Sequence, residues 1–177
     1  MHRLFVALRP PAAVRAGLLD TMDGISGARW QDDDQLHLTL RFIGEVDRHA
    51  AADIHAALGA VHHPPFALVV AGLGMFDRRG MPETVWAGVA PAETVRALHN
   101  KVDQALARVG IARDRRAFHP HITLARLNRG SGPPDLFLAR GLRMPSWTVA
   151  DFGLFESELT PDGAIYTQVE RYLLAGG

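Results

Sequence analysis

Apolar positions recur along this chain with two different periods, and the switches between them mark out its elements. Residues 2–8 (HRLFVAL) alternate weakly and run into Pro10–Pro11, which predicts a strand followed by a helix start. Val14, Leu18, Leu19 and Met22 form a helical stripe over 11–22, closed by GISG at 24–27. After Trp30 and the acidic turn QDDDQ, Leu36, Leu38, Leu40 and Phe42 alternate with His37, Thr39, Arg41 and Ile43. That period of two predicts a strand over 36–44. Asp47 suits the N-cap of a helix over about 48–60, with Ile54 and Leu58 facing inward.

The second half repeats the alternation. Residues 66–76 and 84–90 are strand-like and are joined by DRRGMPE, a hairpin or a longer loop. Residues 91–109 are the strongest helix, with Val95, Leu98, Val102 and Leu106 as its stripe and Gly110 as its stop. A strand follows over 117–127 (AFHPHITLARL), then a weakly structured stretch rich in Gly and Pro at 130–134. Two late strands, 146–156 and 164–174, flank the turn LTPDG. The order is strand, helix, strand, helix, strand, strand, helix, strand, strand, strand. It predicts an α+β fold with two helix-packed sheets. The segments LHLTLRF and PHITLAR resemble each other at an offset of 84 residues, close to half the chain. The repeat suggests an internal duplication with pseudo-twofold symmetry inside a single two-lobed domain over 1–177.

Composition narrows the function classes. A chain of 177 residues, 47% hydrophobic and 21% charged, has the makeup of a globular domain. Its longest apolar run, FALVVAGLGMF, is far short of the roughly 20 residues that cross a bilayer, so no membrane partner is expected. The N-terminal text has no long apolar core and reads as a strand rather than a signal peptide, which makes the cytoplasm the expected location. With no cysteine, disulfides, thiolate chemistry and Cys-ligated metals are excluded. Net charge is zero, so the whole molecule has no strong pull on nucleic acid. Locally the balance differs: Arg108–Arg129 carries six arginines against one acid, Asp114, around the second repeat. Arginine's planar fork of donors matches phosphate oxygens.

The repeats carry the chemistry. Residues i and i+2 of a strand share a face, about 6.6 Å apart. His37 and Thr39 therefore share one, and His121 and Thr123 another, while Leu36, Leu38, Leu40, Ile122 and Leu124 face the core. If the two strands lie together about a twofold axis, two imidazoles and two hydroxyls meet in one cleft. One neutral imidazole can take a proton from water while a charged partner gives one to a leaving alkoxide. Threonine hydroxyls can donate to phosphate oxygens. Arg126 would add fixed positive charge, but its odd offset from His121 puts it on the wrong face unless a bulge, a bend or its own length brings it round. Neither a metal nor any other cofactor is required.

LHLTLRFIGEV and FHPHITLARL resemble the paired motifs of the two-histidine phosphoesterases. Within that superfamily the chain is similar to the bacterial RNA 2′,3′-cyclic phosphodiesterases, historically called 2′-5′ RNA ligases (LigT-like). RLFVAL at 3–8, Trp30, VWAGV at 85–89 and LFESELTPDGAIY at 154–166 extend the likeness over essentially the whole chain. The resemblance implies a bilobal fold of two antiparallel sheets with flanking helices and the active cleft between them. It implies catalysis by His37 and His121, with Thr39, Thr123 and Arg126 on the phosphate. The activity implied is metal-independent hydrolysis of terminal 2′,3′-cyclic phosphates on RNA or oligonucleotides to a 2′-phosphomonoester. Run in reverse, the same site would join a 2′-5′ linkage. The expected form is a monomer. A positive neighbour disfavours a charged imidazole, so Arg126 points to His121 as proton acceptor and leaves His37 as proton donor; the resemblance points the same way.

Rival readings stay open at this level. One is a phosphodiesterase for small cyclic nucleotides or 2′-5′ oligoadenylate; another is an RNA-end binding module without catalysis. His119-x-His121 could start a metal site, as could Asp32–Asp34, though no further ligand lies near His119 and the acidic run reads as a solvated turn. His62–His63 read as loop residues, and His2, His49, His55 and His99 as surface or helix-face residues. Among the nearby aromatics Trp30, Phe42, Phe118 and Tyr166, any one could stack on a base, but each taken singly fits core packing better.

Overall fold

The computed structural model of the chain describes residues 1–161 and 163–176. Its strands are β1 (His2–Leu8), β2 (Arg29–Trp30), β3 (Leu38–Val46), β4 (Phe66–Arg78), β5 (Met81–Ala90), β6 (His121–Arg126), β7 (Trp147–Val149), β8 (Asp151–Thr160) and β9 (Gly163–Leu173). Its helices are α1 (Ala12–Leu19), α2 (Arg48–Gly59), α3 (Ala92–Arg108) and α4 (Asp135–Ala139), with a 3₁₀ turn at Asp33–Gln35. The α+β class and the antiparallel pairing agree with the sequence pattern.

The strands run β7-β4-β5-β6-β3-β1-β8-β9, with β2 also on β6. The order falls into two halves of four, each with its motif strand innermost. Two separate sheets were expected, and here the structure differs. The halves join edge to edge into one nine-stranded sheet through a single β3–β6 pair, Leu38 with Ile122. The inner edge of β6 is covered in part by this pair and in part by β2, which pairs through Arg29 and Trp30. The cleft expected between two sheets therefore lies across one face of a continuous sheet, over the seam.

The other face carries the main core. Leu38, Leu40, Ile122 and Leu124 are buried in one cluster with Leu18 of α1, Ile54 and Leu58 of α2, and Leu98, Val102 and Leu106 of α3. The period-two leucines of the motif strands thus meet the period-3.6 stripes of the helices. On the cleft face a smaller cluster of Phe5, Ala7 and Phe155 underlies the first motif, so β1 is buried on both sides.

Several boundaries depart from the sequence pattern. Asp47 accepts from the backbone N–H groups of His49 and Ala50, as its N-cap role requires. The β4–β5 hairpin is tighter than DRRGMPE suggested, because Arg79 and Gly80 both take positive φ (54° and 77°), the conformation of a two-residue turn. The strand expected over 117–127 begins only at His121, since Pro120 and the residues before it join no ladder. The segment 146–156 is two strands: β7 pairs with β4 in one half, and β8 crosses to pair with β1 in the other. Helix α4 has no strong sequence period; the burial of Phe137, packed on Trp30, holds it. Position 162 of the turn LTPDG lies outside the described residues.

Candidate active site

The seam fixes the site. Antiparallel pairing about Leu38 and Ile122 sets His37 across from Thr123 and Thr39 across from His121. All four point away from the buried leucines, so two imidazoles and two hydroxyls occupy alternate corners of one quadrilateral. Diagonal neighbours in such a ladder lie about 7–8 Å apart, a span that accommodates one phosphate. The five residues singled out by sequence, His37, Thr39, His121, Thr123 and Arg126, all line one cleft of about 720 Å³.

Arg126 reaches this face through a bulge. Ala125 pairs with Val85 and Thr123 with Trp86, so Leu124 is the extra residue. Leu124 and Ala125 are both buried, and the next side chain returns to the cleft. The same bulge recurs in β3, where Thr39 pairs with Ala7 and Arg41 with Val6, leaving Leu40 over. Phe42 stands at the position corresponding to Arg126; it is 41% exposed, lines the cleft and carries the Arg3 guanidinium 5.2 Å above its ring.

Both imidazoles are oriented alike. His37 Nδ1–H donates to the Gln35 carbonyl at 2.7 Å, and His121 Nδ1–H to the His119 carbonyl at 2.6 Å. Each carbonyl belongs to the residue two before the histidine, so the backbone holds the tautomer and leaves Nε2 toward the cleft. Thr39 Oγ1–H donates to His37 Nε2 at 3.0 Å. Aromatic rings pack around each imidazole. Phe5 and Tyr166 lie 4.9 and 5.1 Å from His37, and Phe76 and Trp86 lie 4.9 and 6.0 Å from His121.

Burial is the main reason both imidazoles resist protonation. His37 is lowered to about 4 by desolvation, with smaller contributions from His121, Arg126 and Arg9. His121 is lowered by burial, then by His119 and Arg126. Arg126 thus acts on both rings. Its charge by itself does not choose between donor and acceptor, and burial is the larger cause at each ring.

Other residues fall outside the expectation or outside the reacting centre. Thr84, opposite Arg126 on β5 and 3% exposed, accepts from Arg126 Nη1 at 3.1 Å; no motif flagged it. Arg116 lines the cleft and is tied to Asp114, whose carboxyl it holds at about 2. Asp32 caps the 3₁₀ turn in a reciprocal capping box with Gln35, Asp33 binds Arg15, and Asp34 binds Arg9. The acidic run is therefore a structural turn that leads into the first motif. His119 packs its ring against Trp86 and Phe76. Among the described residues no three His, Cys, Asp or Glu side chains cluster as metal ligands would. Trp30 packs on Phe137 and Phe118 on His99, whereas Phe42 and Tyr166 face the cleft. His99, half-buried on the face of α3, ties that helix to Leu40 and Phe118.

A nine-stranded antiparallel sheet with two histidine–threonine pairs facing across its seam defines a protein class. Residues 10–160 match the 2′-5′ RNA ligase superfamily, and the chain belongs to it. It is 35% identical to the RNA 2′,3′-cyclic phosphodiesterase of Archaeoglobus fulgidus, over 96% of this chain and 99% of that one. It is 37% identical to the protein of the same name from Thermus thermophilus, over 98% and 91%. The crystal structure of TT0787 of Thermus thermophilus superposes with a TM-score of 0.82 at 30% identity, covering 98% of both chains. That of E. coli LigT complexed with 3′-AMP gives 0.78 at 28% identity, also over 98% of both.

Proposed function

We propose that this protein hydrolyses terminal 2′,3′-cyclic phosphates on RNA and oligonucleotides to 2′-phosphomonoesters without a metal. The observation that carries the reading is the quadrilateral of His37, Thr123, Thr39 and His121 around the Leu38–Ile122 pair. The names of the relatives support the substrate class.

In this reading the phosphate sits between the imidazoles. Thr39, Thr123 and Arg126 donate to its non-bridging oxygens, and the developing negative charge is met by groups already in place. A water oxygen attacks phosphorus in line with O3′ and passes its proton to His121 Nε2 as the O–P bond forms. The P–O3′ bond breaks, and O3′ takes a proton from His37 Nε2. The product is a 2′-phosphate with a free 3′-hydroxyl, and the two imidazoles have exchanged protonation states.

The roles follow from depth. His121 is the less enclosed ring and can receive a proton from water. His37, walled by Phe5 and Tyr166, is the drier of the pair and in this reading faces the departing O3′. Its proton must come with the substrate, because a bound anion counteracts the desolvation that keeps the free imidazole neutral. With an RNA 5′-hydroxyl in place of water, the same steps would expel O3′ and leave a 2′-5′ linkage. Both motifs come from one chain, so we propose that a monomer suffices.

The test is incubation of the pure protein with an oligoribonucleotide ending in a 2′,3′-cyclic phosphate, with the product read by phosphorus NMR. A 2′-phosphomonoester supports the reading. A 3′-phosphate would reverse the seating of the ribose, and an untouched cyclic phosphate would leave a binding protein instead.

A further inference from the structure

The two halves of the sheet touch through one ladder pair, yet acid–base transfer requires His37 and His121 at a fixed separation. Something other than the ladder must set it. Strand β2 and Gln31, in the lead-in to the first motif, also pair with β6, and behind the sheet a second set of crossing contacts meets at α3.

His99, in the second turn of α3, donates from Nδ1 to the carbonyl of Leu40 at 2.7 Å. Leu40 is the bulge residue of β3 and follows Thr39 directly. The same imidazole stacks on Phe118 with 4.0 Å between ring centroids and 1° between planes. Phe118 directly precedes His119, whose carbonyl holds the tautomer of His121. One side chain therefore touches both motifs, each a residue or two from its working groups.

Asp103, one helical turn further along α3 on the same face, repeats the arrangement. It accepts from Arg41 Nε at 2.9 Å, with the two side chains only 13% and 7% exposed. Arg41 is the residue after the bulge, and its guanidinium also donates to the carbonyls of Phe42 and Ala112. Ala112 begins the stretch that leads to Phe118 and the second motif. A buried ion pair whose guanidinium makes two further bonds to carbonyls holds geometry firmly, and removing Asp103 strands a buried charge.

We propose that His99, backed by Asp103–Arg41, is a positioning brace that sets the separation of the two catalytic imidazoles. The proposal rests on the reading of His37 and His121 as acid and base. His99 touches no reacting atom; it acts through Leu40 and Phe118. Its loss therefore leaves substrate contacts in place and disturbs the alignment of proton transfer, where a displacement of about 1 Å costs on the order of 10²-fold in rate.

His99→Phe keeps a flat ring against Phe118 and removes the donor to Leu40. The variant should fold, lose about 10- to 100-fold in kcat and keep KM within about twofold. A second readout needs no turnover: the titration midpoint of His37, followed by NMR in the free protein. Burial and the neighbouring His121 both depress it. A loosened seam admits water and separates the rings, so the midpoint rises in His99→Phe. Wild-type kcat together with an unmoved His37 midpoint would overturn the brace, as would a loss of rate that only tracks a loss of folded protein. Should His99→Phe fail to fold, His99→Asn, which keeps a donor near Nδ1 but loses the stack, is judged by the same measurements. If the wild type turns over no cyclic phosphate, the phosphodiesterase reading fails while the NMR titration still decides the brace.

Discussion

Leu38 and Ile122 are partners across the seam of the sheet and are also 84 positions apart in the chain, the same offset that separates His37 from His121 and Thr39 from Thr123. A residue that pairs antiparallel with its own counterpart lies on a local twofold axis. That axis carries each histidine onto the other and each bulge, Leu40 and Leu124, onto the other. The symmetry of side chains ends there: Arg41 stands against Ala125 and, on the cleft face, Phe42 against Arg126. One copy thus offers an aromatic ring and the other a charge to whatever occupies the cleft.

In the proposed mechanism the two imidazoles act on one phosphorus, so they should behave as a unit. His37→Ala and His121→Ala are each expected to lower kcat by about 10²- to 10⁴-fold, the usual scale for a positioned acid or base. The double variant should be little worse than the worse single one. Steady-state kinetics on a cyclic-phosphate oligonucleotide checks this, and near-normal turnover in either single variant would remove that histidine from the mechanism.

Arg126 owes its place to the Leu124 bulge and its aim to Thr84. Arg126→Met should cost about 10²-fold in kcat/KM, since a charge-assisted contact to the phosphate is lost. Thr84→Val leaves the charge but frees the guanidinium, so a smaller loss, about 3- to 10-fold, is expected. A larger effect from Thr84→Val than from Arg126→Met would mean that Thr84 does something other than aim the arginine.

Depressed imidazole pKa values place the free protein's optimum on the acid side. The active form needs one proton on the pair, and His37 is held at about 4 while His121 also lies below its ordinary value. The profile of kcat/KM should be bell-shaped with its maximum below about 6.5, its limbs belonging to the coupled pair. In kcat the basic limb should move to higher pH, because bound phosphate favours the charged ring. The same burial links to stability: His37 takes up a proton in the unfolded chain before it does in the folded one. Stability is therefore full above about pH 6.5 and declines as pH falls toward 4. Rates that climb steadily through pH 9 would point to hydroxide attack rather than a histidine base.

Chelation separates the two readings of His119. In the proposed mechanism it serves through its backbone carbonyl and its packing on Trp86, so exhaustive EDTA treatment should leave the rate unchanged. Loss of activity on chelation, restored by zinc or manganese, would make His119 and His121 metal ligands.

What the chain settles by itself follows from local periodicity. The alternation of leucine with histidine and threonine assigns faces to both motif strands, because neighbouring side chains in a strand must point opposite ways. It thereby names four corners of the site, and the arginine-rich flank supplies the fifth residue. The helical stripes of 48–60 and 91–109 are equally legible, as is the N-cap Asp47, since each depends on residues a few places apart. Tertiary structure decides everything that needs two distant segments to meet. Whether two half-sheets stand apart or join depends on which edges find partners, and here Leu38 and Ile122 close the gap. The side on which Arg126 emerges depends on a bulge that exists only in register with β5. The roles of Thr84 and His99 are invisible in the sequence because a lone threonine or histidine carries no period. Their partners, Arg126, Leu40 and Phe118, are brought to them only by the packing of strands and helices remote in the chain.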